Sequence, residues 1–293
     1  MEQAEAENAR GILQYTRPVA WFGAGGSMRI IGIGQVIFAV SVAGLGMLSL
    51  GSGDFALNWQ PVPKEIPGRE ILATISGAIL FFGGLGLLFK PVARLAAVVL
   101  TINFLFWLLL LRLPSVVAGW SHEGAWLGFG ETLLVVTGAW AILASLQDEG
   151  DSRGFTGLLA GPTGLRLARL LYGIALPMIG LSHFVYLDAT VSLIPVYLPH
   201  HEFFAWLTGA GHIAAGFAVL FGVLPRLASI LEGIMMALFA AMVWAPKVAA
   251  HPGSRFLWTA FLISVVMAAA AQAIAETYKD GAWLVREPKP AEA

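Results

Sequence analysis

Long uncharged stretches constrain this chain more than any other feature of its sequence. A helix needs about 20 apolar residues to cross the roughly 30 Å hydrocarbon layer of a membrane. Eight stretches of about this length contain at most one charged residue or histidine each: 30–53, 71–89, 95–111, 124–147, 170–187, 203–225, 227–246 and 256–275. They lack the short alternating pattern of a transmembrane β-barrel. The sequence therefore predicts an all-α, polytopic integral membrane protein with eight transmembrane helices.

Composition excludes several classes of protein. Only 12% of the residues are charged and 58% are hydrophobic, and a water-soluble fold could not cover its surface with so few charges. The formal net charge of −1 provides no field to attract a polyanion. The absence of cysteine excludes disulfides, thiolate metal sites and cysteine-bound iron–sulfur clusters. A cytosolic enzyme, a disordered protein and a nucleic-acid binder are therefore excluded.

The distribution of lysine and arginine predicts the orientation of the chain. With eight spans both ends lie on one side, and most of the 17 lysines and arginines lie on that side. The positive-inside rule then places both termini in the cytoplasm. The first 28 residues lack the pattern of a secretory signal peptide. We expect a multi-pass protein of the inner (plasma) membrane.

The two halves of the chain match each other at a constant offset of 132 residues. The matched pairs include Pro63 and Pro195, Gly77 and Gly209, Gly84 and Gly216, Pro114 and Pro246, and Trp126 and Trp258. Each half holds four spans, an even number, so the two copies have the same orientation in the membrane. The sequence thus predicts two parallel four-helix-bundle repeats.

This duplication predicts the domain boundaries. The repeats are expected at 29–146 and 166–276, and a polar, glycine-bearing and proline-bearing linker is expected at 147–165. Residues 1–28 and 277–293 are expected to be cytoplasmic segments at the two ends. Glycines seven residues apart share a helix face and favour close helix packing, although a groove for a lipid tail or quinone ring is the alternative.

The second half resembles the DoxX/DoxD-like family of small helical membrane proteins. The resemblance rests on a first helix that carries His183, the segment 194–199 (IPVYLP) and the glycine-rich segment 207–228 (LTGAGHIAAGFAVLFGVLPRLA). It implies an inner-membrane protein, and some relatives are membrane subunits of quinone-linked oxidoreductases. Others are trafficking or assembly factors. Family members often carry an acidic residue where this chain has His212, and Leu80 lies at the matching position of the first half.

Ionisable residues inside the membrane are costly and usually face the interior of a helix bundle. In the second half these are His183, His212 and Glu232, and their equivalents in the first half are apolar. Counting helix rise places the two histidines within about 8 Å of each other in depth. We therefore expect a site in the second half, and we expect Glu232, near the cytoplasmic end, to lie elsewhere.

The loop before the sixth span adds further candidates for a ligand site. Tyr197, His200, His201 and Glu202 lie between the two membrane histidines in sequence. Histidine donates and accepts hydrogen bonds and titrates near neutral pH, so these residues could bind a quinone head and relay protons. The alternative is that they make structural hydrogen bonds and form a solvated helix start. No metal site is expected, because adjacent histidines on a helix diverge and the helical i,i+4 histidine pair is absent.

The membrane-embedded carboxyl groups Glu131 and Glu232 are candidates for a proton path. Neither a phosphate-binding loop nor a nucleophile motif is found, so no catalytic residue is predicted. The favoured function is a DoxX-like subunit that anchors an oxidoreductase partner, or exchanges electrons with it through quinone, and carries no covalently bound cofactor. The alternatives are a small-molecule or lipid transporter and a non-catalytic assembly factor. A redox subunit or a second copy of the chain is the expected protein partner.

Overall fold

Eight helices are long and apolar enough to span a membrane in the computed structural model, which describes residues 32–146 and 159–279. The all-α, eight-span prediction is confirmed. The helices are α1 (Ile33–Ser52), α2 (Arg69–Gly86), α3 (Lys90–Ala118), α4 (Glu123–Ser145), α5 (Pro162–Val185), α6 (His201–Leu220), α7 (Pro225–Ala250) and α8 (Arg255–Glu276). The expected segment 1–28, most of the expected linker and all but three residues of the expected tail lie outside the described residues.

Two faces of the helix assembly need names. The face at which α1 begins and α8 ends is called the terminal face, and there the Gly34 N–H donates to Glu276 Oε1 at 3.2 Å. The other is called the opposite face. There Asp54 accepts from Arg69 at 2.5 Å and lies 3.4 Å from Arg255. Burial raises the pKa of Asp54, but the hydrogen bonds from Arg69 and the Phe55 N–H and the two arginine charges lower it below its ordinary value.

Helices α3 and α7 extend further than their apolar stretches predict. Each contains a single π-helical segment, Leu108–Arg112 in α3 and Ala240–Trp244 in α7. A proline follows two residues after each segment, at Pro114 and Pro246. Proline lacks an N–H and its ring collides with the carbonyl four residues earlier, so a widened turn accommodates it. The helix α3 therefore continues through Arg112, which the sequence placed beyond the end of the span.

Helix boundaries repeat at the offset found in the sequence. Arg69 and His201 begin α2 and α6, and Glu123 and Arg255 begin α4 and α8, each pair 132 residues apart. The two π-helical segments are separated by the same number of residues. These coincidences fit the predicted duplication, and the boundaries of the two repeats stay predictions.

The helix packing differs from two self-contained four-helix bundles. The last helix of each half packs against the first helix of the other half, α4 on α5 and α8 on α1, and α4 also packs on α8. Gly138 allows the last of these contacts, because a Cβ there would lie 2.7 Å from the Cα of Ala270. Two rings of five helices result, α1–α2–α3–α4–α8 and α4–α5–α6–α7–α8, which share α4 and α8.

The first ring is filled by apolar side chains. Phe38, Leu80, Leu100 and Phe104 are fully buried in it. The Phe104 ring lies 6.3 Å from the ring of Phe38 and 5.4 Å from that of Trp59, between centroids. Such dense aromatic packing gives the first ring a rigid core.

Candidate functional site

Close packing of α5 on α6 creates a histidine pair in the second ring. Gly180 and Gly209 face each other so tightly that a Cβ on Gly180 would lie 2.6 Å from the carbonyl oxygen of Gly209. Small residues allow such an approach where no hydrophobic effect drives helices together. The rings of His183 and His212 are thereby brought to 5.0 Å between centroids. The structure agrees with the predicted similarity in depth of the two histidines.

Glu232 belongs to this cluster, and the expectation that it lies elsewhere is wrong. His212 Nδ1 lies 2.8 Å from Glu232 Oε1, and the two residues are 3% and 1% exposed. Glu232 lies about 10 Å along α7 from Pro225, and His212 lies about 12 Å along α6 from Leu220, both measured from the terminal face. The two side chains are therefore at the same depth, because α6 is short and His212 is near its middle.

His183 is held by a hydrogen bond to its own helix. Its Nδ1 lies 3.1 Å from the carbonyl oxygen of Ile179, and a carbonyl can only accept, so Nδ1 carries the hydrogen. In the neutral ring Nε2 is then an acceptor. The side chain is half-buried and lines a cavity, so the ring presents one acceptor nitrogen to a bound molecule.

A cavity of about 870 Å³ occupies the second ring and extends to the loops of the opposite face. Its walls are mainly apolar and include aromatic and methionine side chains. They include Phe204, Met235, Phe239, Met242, Trp244, Phe256 and Met267. Its charged or titratable lining consists of Arg112, Glu131, His183, Tyr186 and His212. A mainly apolar cavity with a few polar groups is typical of a small-molecule site.

Arg112 is a cavity residue that the sequence did not indicate. Its guanidinium donates to the carbonyl oxygens of Asn58 and Trp59 at 2.6 and 3.1 Å, and it interacts electrostatically with Glu131. Glu131 also lines the cavity, on α4. The missed signal is Pro114, since a proline so close to Arg112 can be accommodated inside a continuous helix by a π-helical turn.

The structure does not bring the predicted loop residues to the histidine pair. His200, His201 and Glu202 line a separate groove on the opposite face. Tyr197 is 68% exposed in the adjoining loop and is absent from the described lining of both cavity and groove. His200 has a left-handed backbone conformation, with φ of 53°, as it starts α6. Ile194, Pro195 and Leu198 of the same loop do line the cavity, so the loop contributes apolar side chains to it and not the predicted polar ones.

The polar cluster has no counterpart at the matching positions of the first ring. Leu80 matches His212, Leu100 matches Glu232 and Val42 matches His183, and all three are fully buried apolar residues. The two rings are thus alike in backbone and different in chemistry. Leucine and valine are sufficient to pack these positions in the first ring. Packing alone therefore does not explain the polar residues of the second ring.

Comparison with known proteins relates part of the second half of the chain to a protein family. Neither the curated proteins nor the solved structures gave a match. A protein-family model, described as DoxX, matches residues 164–245. This segment covers most of α5, all of α6 and most of α7, which carry His183, His212 and Glu232. Residues 164–245 of this membrane protein are therefore similar to the DoxX family, in agreement with the resemblance noted in the sequence.

Proposed function

We propose that the cavity of the second ring binds a quinone and that the protein is a membrane subunit working with an oxidoreductase partner. The observation that carries the proposal is the pairing of His183 and His212 at the wall of a mainly apolar cavity. A quinone has an apolar tail and ring and two carbonyl oxygens that accept hydrogen bonds. Its own chemistry is the uptake of two electrons and two protons.

The residues of the chain fit the binding and proton parts of this role. When Glu232 is protonated its hydroxyl donates to His212 Nδ1, so the neutral His212 ring carries its hydrogen on Nε2 and can donate it. His183 presents its free Nε2 as an acceptor, and both rings can hold a proton. The aromatic and methionine side chains of the cavity provide apolar contacts for a ring and tail. Arg112 and Glu131 offer a second polar region in the same cavity.

The electrons are proposed to come from a partner protein. The chain has no cysteine, so it cannot form the thiolate-bound iron–sulfur centres or thioether-bound haem that commonly feed electrons to a quinone. The distribution of lysine and arginine supports an inner-membrane location with cytoplasmic termini.

Binding of decylubiquinone to the purified protein tests this function. Trp244 lines the cavity, so its fluorescence should be quenched on binding. We expect the variant His183→Gln to weaken binding about tenfold, the value of one hydrogen bond of about 1.4 kcal/mol. His251→Gln is the matched control, because His251 is exposed outside the cavity.

Two outcomes would contradict the proposal. Absence of saturable quenching in the wild-type protein would move the assignment to an assembly factor. Equal affinity of the wild-type protein and the His183→Gln variant for decylubiquinone would show that the histidine pair does not bind the quinone. A transporter would instead require the cavity of the second ring to open alternately to the two faces of the membrane. Labelling of cavity residues from each side of closed vesicles measures this access.

A further inference from the structure

A line of polar side chains continues from the histidine pair toward the terminal face. We propose that Tyr172, Glu232 and His212 form a proton path that joins the terminal face to the cavity. The inference deepens the proposed function, because it names the source of the protons that quinone reduction consumes. The contacts and the burial of these side chains do not require a bound quinone.

The part of the path nearest the cavity is a direct hydrogen bond. His212 Nδ1 and Glu232 Oε1 are 2.8 Å apart. Glu232 does not line the cavity, whereas His212 does. His212 therefore separates the carboxyl group from the cavity, and a proton that leaves Glu232 in that direction passes through the imidazole ring.

The transfer through His212 is balanced in protons. When Glu232 is protonated, its hydroxyl group donates to His212 Nδ1, and the neutral ring carries its own proton on Nε2. The proton moves from Oε1 to Nδ1 as the Nε2 proton passes to His183 Nε2, and the His183 ring becomes positively charged. Glu232 is then a carboxylate, and His212 is neutral with its proton on Nδ1. A new proton then binds to Glu232. The His212 ring returns to its starting state either by rotating or by exchanging its Nδ1 proton for one on Nε2.

Between Glu232 and the terminal face, the path runs through Tyr172. This residue is fully buried on α5 and interacts electrostatically with Glu232 and with Tyr278. Within the described residues Glu232 Oε2 forms no hydrogen bond, whereas the Tyr172 hydroxyl interacts with the hydroxyl of Ser229. The Ser229 hydroxyl, which donates to the Pro225 carbonyl at 2.9 Å, lies beside it on α7. A buried polar atom without a partner is rare in folded proteins, and the proposed connection from Tyr172 to Glu232 Oε2 is a rotated Ser229 hydroxyl or one bridging water.

The path reaches the terminal face at the end of α8. Tyr278 lies two residues after the end of α8, and the Arg169 guanidinium stacks 3.8 Å from its ring centroid. Arg169 also donates to the Thr277 hydroxyl at 2.9 Å. These polar groups join the buried Tyr172 to the terminal face.

The helix geometry supports a continuous line. Tyr172 and His183 are eleven residues apart, which places them on one face of α5 about 16 Å apart in depth. Glu232 lies between these depths on the neighbouring side of the ring. The first ring has Leu80 and Leu100 where the second has His212 and Glu232, so the fold itself does not need polar groups there.

Proton flux into sealed vesicles tests the path. The purified protein is reconstituted with a pH-sensitive dye inside, and a potassium diffusion potential drives protons inward along the path and through the cavity, which extends to the loops of the opposite face. We expect Tyr172→Phe and Glu232→Gln to lower the protein-dependent flux about tenfold or more, because each removes a proton-transfer group. Glu232→Asp should restore part of the flux. Tyr197→Phe is the control, since it makes the same change in an exposed loop.

The outcomes separate this inference from the proposed function. Flux through the wild-type protein equal to that of protein-free vesicles, or full flux through a folded Tyr172→Phe variant, overturns the path. Tyr172 is outside the cavity lining, so Tyr172→Phe should bind decylubiquinone as the wild type does. Flux without quinone binding would leave the path standing and refute the quinone site, and quinone binding without flux would do the reverse.

Discussion

Replacing Gly180 by alanine should push α5 and α6 apart and separate the histidine pair. The new Cβ would lie 2.6 Å from the Gly209 carbonyl oxygen and 3.0 Å from the Cβ of His212. Ordinary contacts begin at 3.4 Å, so the helices must shift by about 0.8 Å, and overpacking of this kind costs about 1–3 kcal/mol. Alanine recovers up to about 1 kcal/mol of helix propensity. We expect a net loss of about 1–2 kcal/mol in the free energy of unfolding.

Reversible unfolding in mixed detergent micelles, followed by tryptophan fluorescence, measures this loss. Gly211→Ala is the matched control two residues from Gly209 on α6. A Cβ on Gly211 would lie 3.2 Å from the Met235 sulfur, at the end of a flexible side chain that can move. The control should change stability by less than about 1 kcal/mol. A Gly180→Ala protein as stable as the wild type, or equal losses in both variants, would refute the packing argument.

Two further predictions concern contacts that hold helices together. Asp54→Asn should lower stability by about 1 kcal/mol at neutral pH, because it weakens the contacts with Arg69 and Arg255. The folded-state pKa of Asp54 is depressed, so this contribution is present above the unfolded pKa of about 3.9 and disappears as the pH falls through the folded value. Unfolding of both proteins at several pH values checks this, and a difference that grows toward acid pH would contradict it. Gly138→Ala should destabilise by about 1–3 kcal/mol, since its Cβ meets the Ala270 backbone, and the same unfolding assay would contradict this by finding no change.

The sequence predicted the spans and the depth of the histidine pair for clear physical reasons. Uncharged stretches of membrane length can only be helices, and helix rise converts residue number into depth. His183 and His212 could therefore be placed at one level. Glu232 was misplaced because its depth was compared with the ends of the span and not with the position of His212 in the short helix α6.

Helix partners could not be predicted from the sequence. Apolar residues cover all sides of α4 and α8, so no amphipathic pattern indicates which neighbour each helix contacts. The contact between Gly138 and Ala270 depends on matched small residues that are distant in sequence. Arg112 was likewise missed, because a proline after a charged residue normally marks the end of a span. The left-handed backbone conformation of His200 was likewise not indicated by the sequence.

Photochemical labelling with an azido-quinone tests the central claim most directly. The purified protein is irradiated with the probe, digested and mapped by mass spectrometry, with decylubiquinone as competitor. The account predicts labels on cavity residues near His183 and His212 that the competitor removes and that His183→Gln reduces. Labels confined to the lipid-facing surfaces of the helices, or labels that the competitor does not remove, would contradict a quinone site in the second ring.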